Sequence, residues 1–137
     1  MPPVPALLVN LDVDDLARGV DFYTRAFGLR VGRRFGAGAV ELLGAAAPLY
    51  LLVKAAGTPA HPGGAPRTYA RHWTPVHLDF VVEALEPALE AALAAGARAE
   101  TEITEAAWGR MVILADPFGH GLCLLELSAE GYDAIAD

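Results

Sequence analysis

The chain has 137 residues, of which 54% are hydrophobic and 20% are charged, and its formal net charge is −7. This length and composition predict one folded domain and exclude a disordered chain. The acidic balance argues against nucleic acid and anionic lipid as partners, and it favours a neutral or cationic small molecule.

The single cysteine and the N-terminal residues bear on the compartment. Cys123 has no partner for an internal disulfide, which fits a reducing environment. The segment 1–5 holds three prolines and no basic residue, unlike a signal peptide. No apolar run approaches the roughly 18 residues of a membrane helix. We therefore expect a cytoplasmic protein.

The first half of the chain predicts a strand, a helix and three further strands. Residues 6–13 alternate with a period of two, as in a half-buried strand. Asp14 or Asp15 can then cap a helix that Gly28 ends. The helix carries one apolar stripe, made of Leu16, Val20, Tyr23 and Phe27. The strand candidates that follow are 29–35, 39–43 and 49–53.

The same order of elements recurs after a linker rich in Ala, Gly and Pro. A strand at 75–82 precedes a helix that Gly96 ends, with an apolar stripe at Leu85, Leu89, Ala92 and Leu93. Asp116 to Gly119 reads as a tight turn. Aligning Val13 with Val82 gives an offset of 69 residues, which indicates an internal duplication. The later strand candidates are 98–103, 108–114 and 121–127.

The duplication predicts an α+β fold of two βαβββ modules. Their mixed sheets are expected to curve around a shared cleft, with both helices outside. A single domain would cover residues 1–137, divided into module one at about 6–54, a linker at about 55–73, module two at about 74–127 and a C-terminal tail at 128–137.

Several strings, in this order, resemble the vicinal-oxygen-chelate superfamily of glyoxalases, bleomycin resistance proteins and dioxygenases. They span residues 6–127 and comprise 11–16 leading into 21–23 and 27–29, then 76–82 before 94–97, and finally 108–110 followed by 116–120. The resemblance implies a homodimer. It leaves function open, because members include metal-dependent enzymes and metal-free proteins that sequester antibiotics.

The resemblance also places the usual metal ligands on the first and last strand of each half. The matching positions are Leu8, a residue within 48–53, His77, and Cys123 where the family usually has glutamate. Leucine binds no metal, and 48–53 holds no His, Glu, Asp or Gln. Alternation puts Glu126 on the opposite face from Cys123. The sequence therefore disfavours a divalent metal cofactor without excluding one, since a catalytic ion normally takes three or more protein ligands.

The cleft implied by the resemblance would combine polar groups with apolar walls. The candidate ligand-binding residues are Asn10, Tyr50, His77, Asp79, Trp108 and Cys123, with Trp73 as an alternative aromatic. The candidate catalytic residues are His77 as general base and Asp79 as the carboxylate that holds it. Three of them also have a purely structural interpretation: His77 as a hydrogen-bonded histidine of the sheet, Trp108 as part of the core, and Cys123 as a buried thiol. Glu41 and Asp12 are expected to be solvated.

Three functional hypotheses follow. The first is a small-molecule binder without the usual divalent metal, with a cationic or aromatic ligand. The second is a glyoxalase- or dioxygenase-like enzyme, either metal-free or with a divergent metal site of His77, Cys123 and a carboxylate such as Glu41 or Asp79. The third is an accessory domain whose cleft is vestigial.

Overall fold

The computed structural model describes residues 3–72 and 74–137. Trp73, one of the candidate aromatics, lies outside the described residues. The chain forms two compact units, Met1–Thr68 and Tyr69–Asp137. Each unit has its own sheet and its own helix.

The first unit contains the five predicted elements. They are β1 (Val9–Val13), α1 (Leu16–Phe27), β2 (Arg30–Phe35), β3 (Ala39–Leu43) and β4 (Leu49–Val53). The strand order is β1-β4-β3-β2, with β1 parallel to β4 and the remaining pairs antiparallel. Asp15 caps the helix by accepting a hydrogen bond from the Arg18 amide at 3.0 Å. Gly28 ends it at φ 67°, in the left-handed region that glycine adopts without strain.

The predicted stripe on α1 is only partly right. Tyr23 is buried, but Leu16, Val20 and Phe27 are half-buried. The face that packs on the sheet consists of Gly19, Phe22, Tyr23 and Ala26.

Gly19 explains this rotation of α1. A Cβ at Gly19 would lie 3.1 Å from the Leu51 side chain and 3.3 Å from the Val13 side chain. The missing side chain therefore lets the helix approach the sheet closely along this face, which turns Val20 toward the margin.

The second unit repeats the topology of the first. Its elements are β5 (Leu78–Val81), α2 (Leu85–Ala95), β6 (Arg98–Ala99), β7 (Thr104–Ala106), β8 (Gly109–Ala115), β9 (Gly121–Leu127) and a short 3-10 helix (Gly131–Ala134). The strand order is β5-β9-β8-β6, in which β9 is parallel to β5 and antiparallel to β8, and β7 also pairs with β8. This shared order supports the predicted α+β fold of two repeated modules.

The strand predicted at 98–103 is too long, because only its first two residues form β6 and a separate strand, β7, follows at Thr104–Ala106. Between them the Thr101 hydroxyl accepts a hydrogen bond from the Ile113 amide at 3.1 Å. A side chain thus takes the place of a backbone partner, and the ladder is interrupted. The second sheet consequently has five strands instead of four.

Glu126 lies on the helix side of its sheet, as alternation predicted. Helix α2 begins after Ala84, whose side chain cannot cap it. Glu126 Oε2 instead accepts a hydrogen bond from the Leu85 amide at 3.1 Å. Arg110 pairs with both Glu126 and Glu86, so the first turn of α2 is held to β8 and β9. Within the described residues, no helix has the length and hydropathy needed to cross a membrane.

Candidate functional site

The pairing of β5 with β9 brings three candidate residues together. Asp79 and Cys123 are register partners, and His77 lies two residues before Asp79 on the same face. His77 Nε2 is 3.2 Å from Asp79 Oδ1. One donor atom from each of the three side chains lies within 4.8 Å of the others.

A cavity of about 250 Å³ lies beside this cluster, entirely within the second unit. His77 and Cys123 contribute to its wall, and most of the remaining surface is apolar. A largely apolar concavity with a few convergent polar groups is the usual form of a small-molecule site. The lining residues are Arg71, Thr74, His77, Met111, Ile113, Gly121, Leu122 and Cys123.

Arg71 forms a charged part of this wall that the sequence did not single out. Its guanidinium donates to both carboxylate oxygens of Glu100, at 2.8 and 2.9 Å. The pair raises the pKa of Arg71 and lowers the pKa of Glu100, so both are charged at neutral pH. A Cβ at Gly121 would lie 2.5 Å from Arg71 Nη2, so the bare glycine makes room for the guanidinium over β9.

Cys123 is 6% exposed. Burial, followed by the neighbouring Asp79 carboxylate, raises the pKa of Cys123 to about 11. The thiol is therefore protonated at neutral pH, which argues against a nucleophilic cysteine, since only the thiolate is the nucleophile.

Two further candidates, Asn10 and Tyr50, lie together in the first unit as register partners on β1 and β4. Asn10 is exposed and Tyr50 is half-buried. The Tyr50 hydroxyl donates to Glu41 Oε2 at 2.7 Å and accepts from Arg33 Nη2 at 3.1 Å. A polar row thus crosses this sheet from β1 to β2.

The expectation that Glu41 is solvated is wrong. Glu41 is 6% exposed, and its carboxylate accepts hydrogen bonds from the Arg33 amide at 3.0 Å and the Arg33 side chain at 2.8 Å. A β-bulge between Val31 and Arg34 aims both groups at the same carboxylate. The burial is tolerated because the charge is paired and hydrogen-bonded.

Asp12 and Trp108 occupy other environments. Asp12 is not simply solvated, because Arg67 Nε donates to it at 2.7 Å and the carboxylate side chain is only 32% exposed. Trp108 is half-buried, and its ring centroid is 5.6 Å from that of Tyr132 in the 3-10 helix. Trp108 is not among the residues that line the cavity beside His77.

Acid is expected to weaken the contribution of Glu41 to stability. Hydrogen bonds from Arg33 and then Tyr50 lower the pKa of Glu41 from 4.5 to about 2. Because the pKa of Glu41 is lower in the folded state, its ionised carboxylate stabilises the fold fully above pH 4.5. This stabilisation is lost as the pH falls toward 2. We predict that wild type and Glu41→Gln differ most in urea midpoint near neutral pH, and that the difference shrinks in acid. An unchanged difference down to about pH 2 would contradict this ionic role.

Comparisons with known proteins agree with the fold described above. A family model described as a glyoxalase-like domain matches residues 8–125. An uncharacterized protein of Mycobacterium bovis is 35% identical over 121 residues, which cover 85% of this chain and 79% of the relative.

Two solved structures, below 25% identity, show the fold alone. A glyoxalase-related enzyme from Fulvimarina pelagi has 20% identity and a TM-score of 0.71, over 93% of this chain and 94% of its own. The second is a fosfomycin resistance protein from Listeria monocytogenes, solved with Mn(II) and 1S,2S-dihydroxypropylphosphonic acid. It has 18% identity and a TM-score of 0.71, over 95% of this chain and 94% of its own. With its family match spanning most of the chain, this protein belongs to the glyoxalase-like family of the vicinal-oxygen-chelate superfamily.

Proposed function

We propose that the protein binds a small molecule in the cavity of its second unit, without the ion that related proteins usually hold between four strands. The observation that carries this proposal is the cavity of about 250 Å³ beside His77 and Cys123. Its size is close to the lower end of the range for ligand pockets, roughly 300–1,000 Å³, which suits a compact ligand. We further propose a cytoplasmic homodimer, by analogy with the family.

The charges around the cavity favour a neutral or cationic ligand. Arg71 lies on the wall, but Glu100 neutralises it through two hydrogen bonds. Asp79, beside His77, then contributes an additional negative charge, in a chain of net charge −7. Met111 offers a polarizable sulfur that suits an aromatic ring. A flat cationic molecule would complement both features.

A blocking variant tests the proposed cavity. We would screen compact cationic aromatic molecules by thermal shift, in buffer with chelator, and measure the Kd of each hit by calorimetry. Ile113→Trp places an indole in the cavity and is expected to weaken binding at least about tenfold. Ala99→Trp, at an exposed position of β6 in the same unit, is the matched control and should bind as wild type does.

Two results would contradict the binding function at this site. One is the absence of any hit from the panel on wild-type protein. The other is equal affinity of a hit for wild type and a folded Ile113→Trp variant. An open cavity beside polar side chains also favours ligand binding over the accessory-domain hypothesis.

A metal-free enzyme is the second candidate function, and the His77–Asp79 pair favours it. The Asp79 carboxylate oxygen, 3.2 Å from His77 Nε2, holds the imidazole in one orientation, as a carboxylate does for a general base. His77 is also on the cavity wall, within reach of a bound molecule. The reaction class would be proton abstraction from the bound ligand.

Turnover of the screened hits distinguishes an enzyme from a binder. Each hit would be incubated with wild type and with His77→Gln in chelator, and the mixture analysed by mass spectrometry and by proton exchange in D₂O. An enzyme should lose exchange about a hundredfold or more in the variant, the usual contribution of a general base. Hits that exchange no protons with wild type would exclude this second candidate.

A further inference from the structure

An arginine and a glutamate form a closed ion pair on the wall of the cavity in the second unit. Arg71 Nε donates to Glu100 Oε2 at 2.8 Å, and Arg71 Nη2 donates to Glu100 Oε1 at 2.9 Å. Arg71 Nη1 donates to the His72 carbonyl oxygen. Each guanidinium nitrogen therefore has an acceptor within the chain. Glu100 occupies the two-pronged edge with which an arginine binds carboxylates and phosphates.

The sheet of the second unit holds both partners in place. The Glu100 amide donates to the Ile113 carbonyl oxygen of β8 at 2.8 Å, and Ile113 lines the cavity. On β9, a Cβ at Gly121 would lie 2.5 Å from Arg71 Nη2 and 2.9 Å from Arg71 Cζ, so the guanidinium rests against bare backbone. The side chains of Arg71 and Glu100 are only 26% and 30% exposed, so water screens their attraction less than it does at an open surface.

The charges near this pair indicate what Glu100 changes in the cavity. Asp116 acts on Arg71 and Arg98 acts on Glu100 through their charges, and these two outer charges have opposite signs. Because Arg71 and Glu100 also cancel, the Asp79 carboxylate gives the surroundings of the cavity a negative balance. Without Glu100, the wall would carry a guanidinium with an empty edge, and its preference would move toward anions.

We propose that Glu100 sets the charge class of the ligand, because it occupies the edge of Arg71 that a carboxylate or phosphate would otherwise bind. Glu100 acts as an anion built into the chain, and it restricts the cavity to cationic and neutral molecules. An incoming anion has to displace a carboxylate that is tethered beside Arg71, and an intramolecular partner competes at a high effective concentration. This inference deepens the proposed binding function and rests on it for the location of the site.

Two flat probes of similar size and opposite charge test this role. Benzamidine is a compact aromatic cation and benzoate is the corresponding anion, and calorimetry measures the Kd of each in buffer with chelator. We expect wild type to bind benzamidine at least about tenfold more tightly than benzoate, because like charges oppose the anion. Glu100→Ala should bind benzoate at least about tenfold more tightly than wild type does, since the vacated edge of Arg71 gains a charge-assisted carboxylate contact. The same variant should bind benzamidine more weakly than wild type does.

Glu102→Ala is the matched control, because it removes the same charge from an exposed position two residues away. It should bind both probes as wild type does. Adding Arg71→Gln to Glu100→Ala should abolish the gain in benzoate affinity, since the gain depends on the guanidinium. Circular dichroism checks that each variant is folded. If Glu100→Ala is not, the near-isosteric Glu100→Gln removes the charge alone and should shift the ratio of the two Kd values in the same direction.

Three results would overturn this role of Glu100. They are equal affinities of wild type for the two probes, a folded Glu100→Ala variant that binds benzoate no better than wild type, and an equal gain in Glu102→Ala, which would assign the effect to net charge alone. The absence of any cationic hit on wild type contradicts the proposed binding function instead. The benzoate gain of Glu100→Ala is measured without the natural ligand, so the two failures can be told apart.

Discussion

Replacing Phe22 by alanine is expected to lower the free energy of unfolding by about 3–5 kcal/mol. The Phe22 side chain is 1% exposed and packs edge-to-face on Tyr23 at a centroid distance of 4.8 Å. It also contacts Phe27 at 6.0 Å. The variant therefore loses both the buried area and two aromatic contacts, and it leaves a cavity between α1 and its sheet. Urea unfolding followed by circular dichroism measures the loss.

Val20→Ala is the discriminating control, because Val20 belongs to the stripe that the sequence predicted. Val20 is only half-buried, so its truncation should cost about 1 kcal/mol or less. Comparable losses for the two variants would mean that α1 packs through the predicted stripe and not through Phe22.

These two residues show how far the hydrophobic pattern determines a helix face. Two rows of α1 satisfy a period near 3.6, and both contain Tyr23. The choice between them depends on how closely the helix approaches the sheet at Gly19, where the side chains of Leu51 and Val13 lie within 3.3 Å of the point that a Cβ would occupy. A contact between residues so far apart in the chain leaves no trace in local periodicity.

The candidate site was predictable to the extent that it depends on strand alternation and duplication. Alternation puts His77 and Asp79 on one face, and the repeat of the first module indicates which strand pairs beside them. The structure brings these residues together with Cys123. Their roles in binding or catalysis stay predictions.

Two features of the sites could not be predicted from pattern. Arg71 lies in a segment without periodicity, and its place on the cavity wall depends on a salt bridge to Glu100, 29 residues away. Glu41 is buried because a bulge in β2 turns Arg33 toward it. Such pairings are set by tertiary geometry, and residue type alone favours a solvated position for Arg71 and for Glu41.

Gly109→Ala is expected to destabilise the protein by about 3 kcal/mol or more, through two independent effects. Gly109 has φ 147°, a conformation that costs an alanine about 1–3 kcal/mol. A Cβ there would also lie 2.2 Å from the Glu126 carbonyl oxygen and 2.9 Å from the Leu127 Cα. These neighbours are backbone atoms of β9, so they can move only if the end of the β8–β9 ladder opens.

Gly36→Ala is the control that separates the backbone strain at a positive φ from the steric clash of the added Cβ. Gly36 has φ 62°, but nothing lies within 4 Å of its Cβ position, so only the backbone strain of about 1–2 kcal/mol applies. Opening the ladder at Gly109 would also disturb the next residue, Arg110, which pairs with the Glu126 carboxylate that caps α2. Thermal unfolding should therefore show a clearly larger loss for Gly109→Ala than for Gly36→Ala. Equal losses of stability for the two variants would mean that β9 moves away from the added Cβ without a free-energy cost. The pairing of β8 with β9 would then stabilise the cavity wall less than its hydrogen bonds indicate.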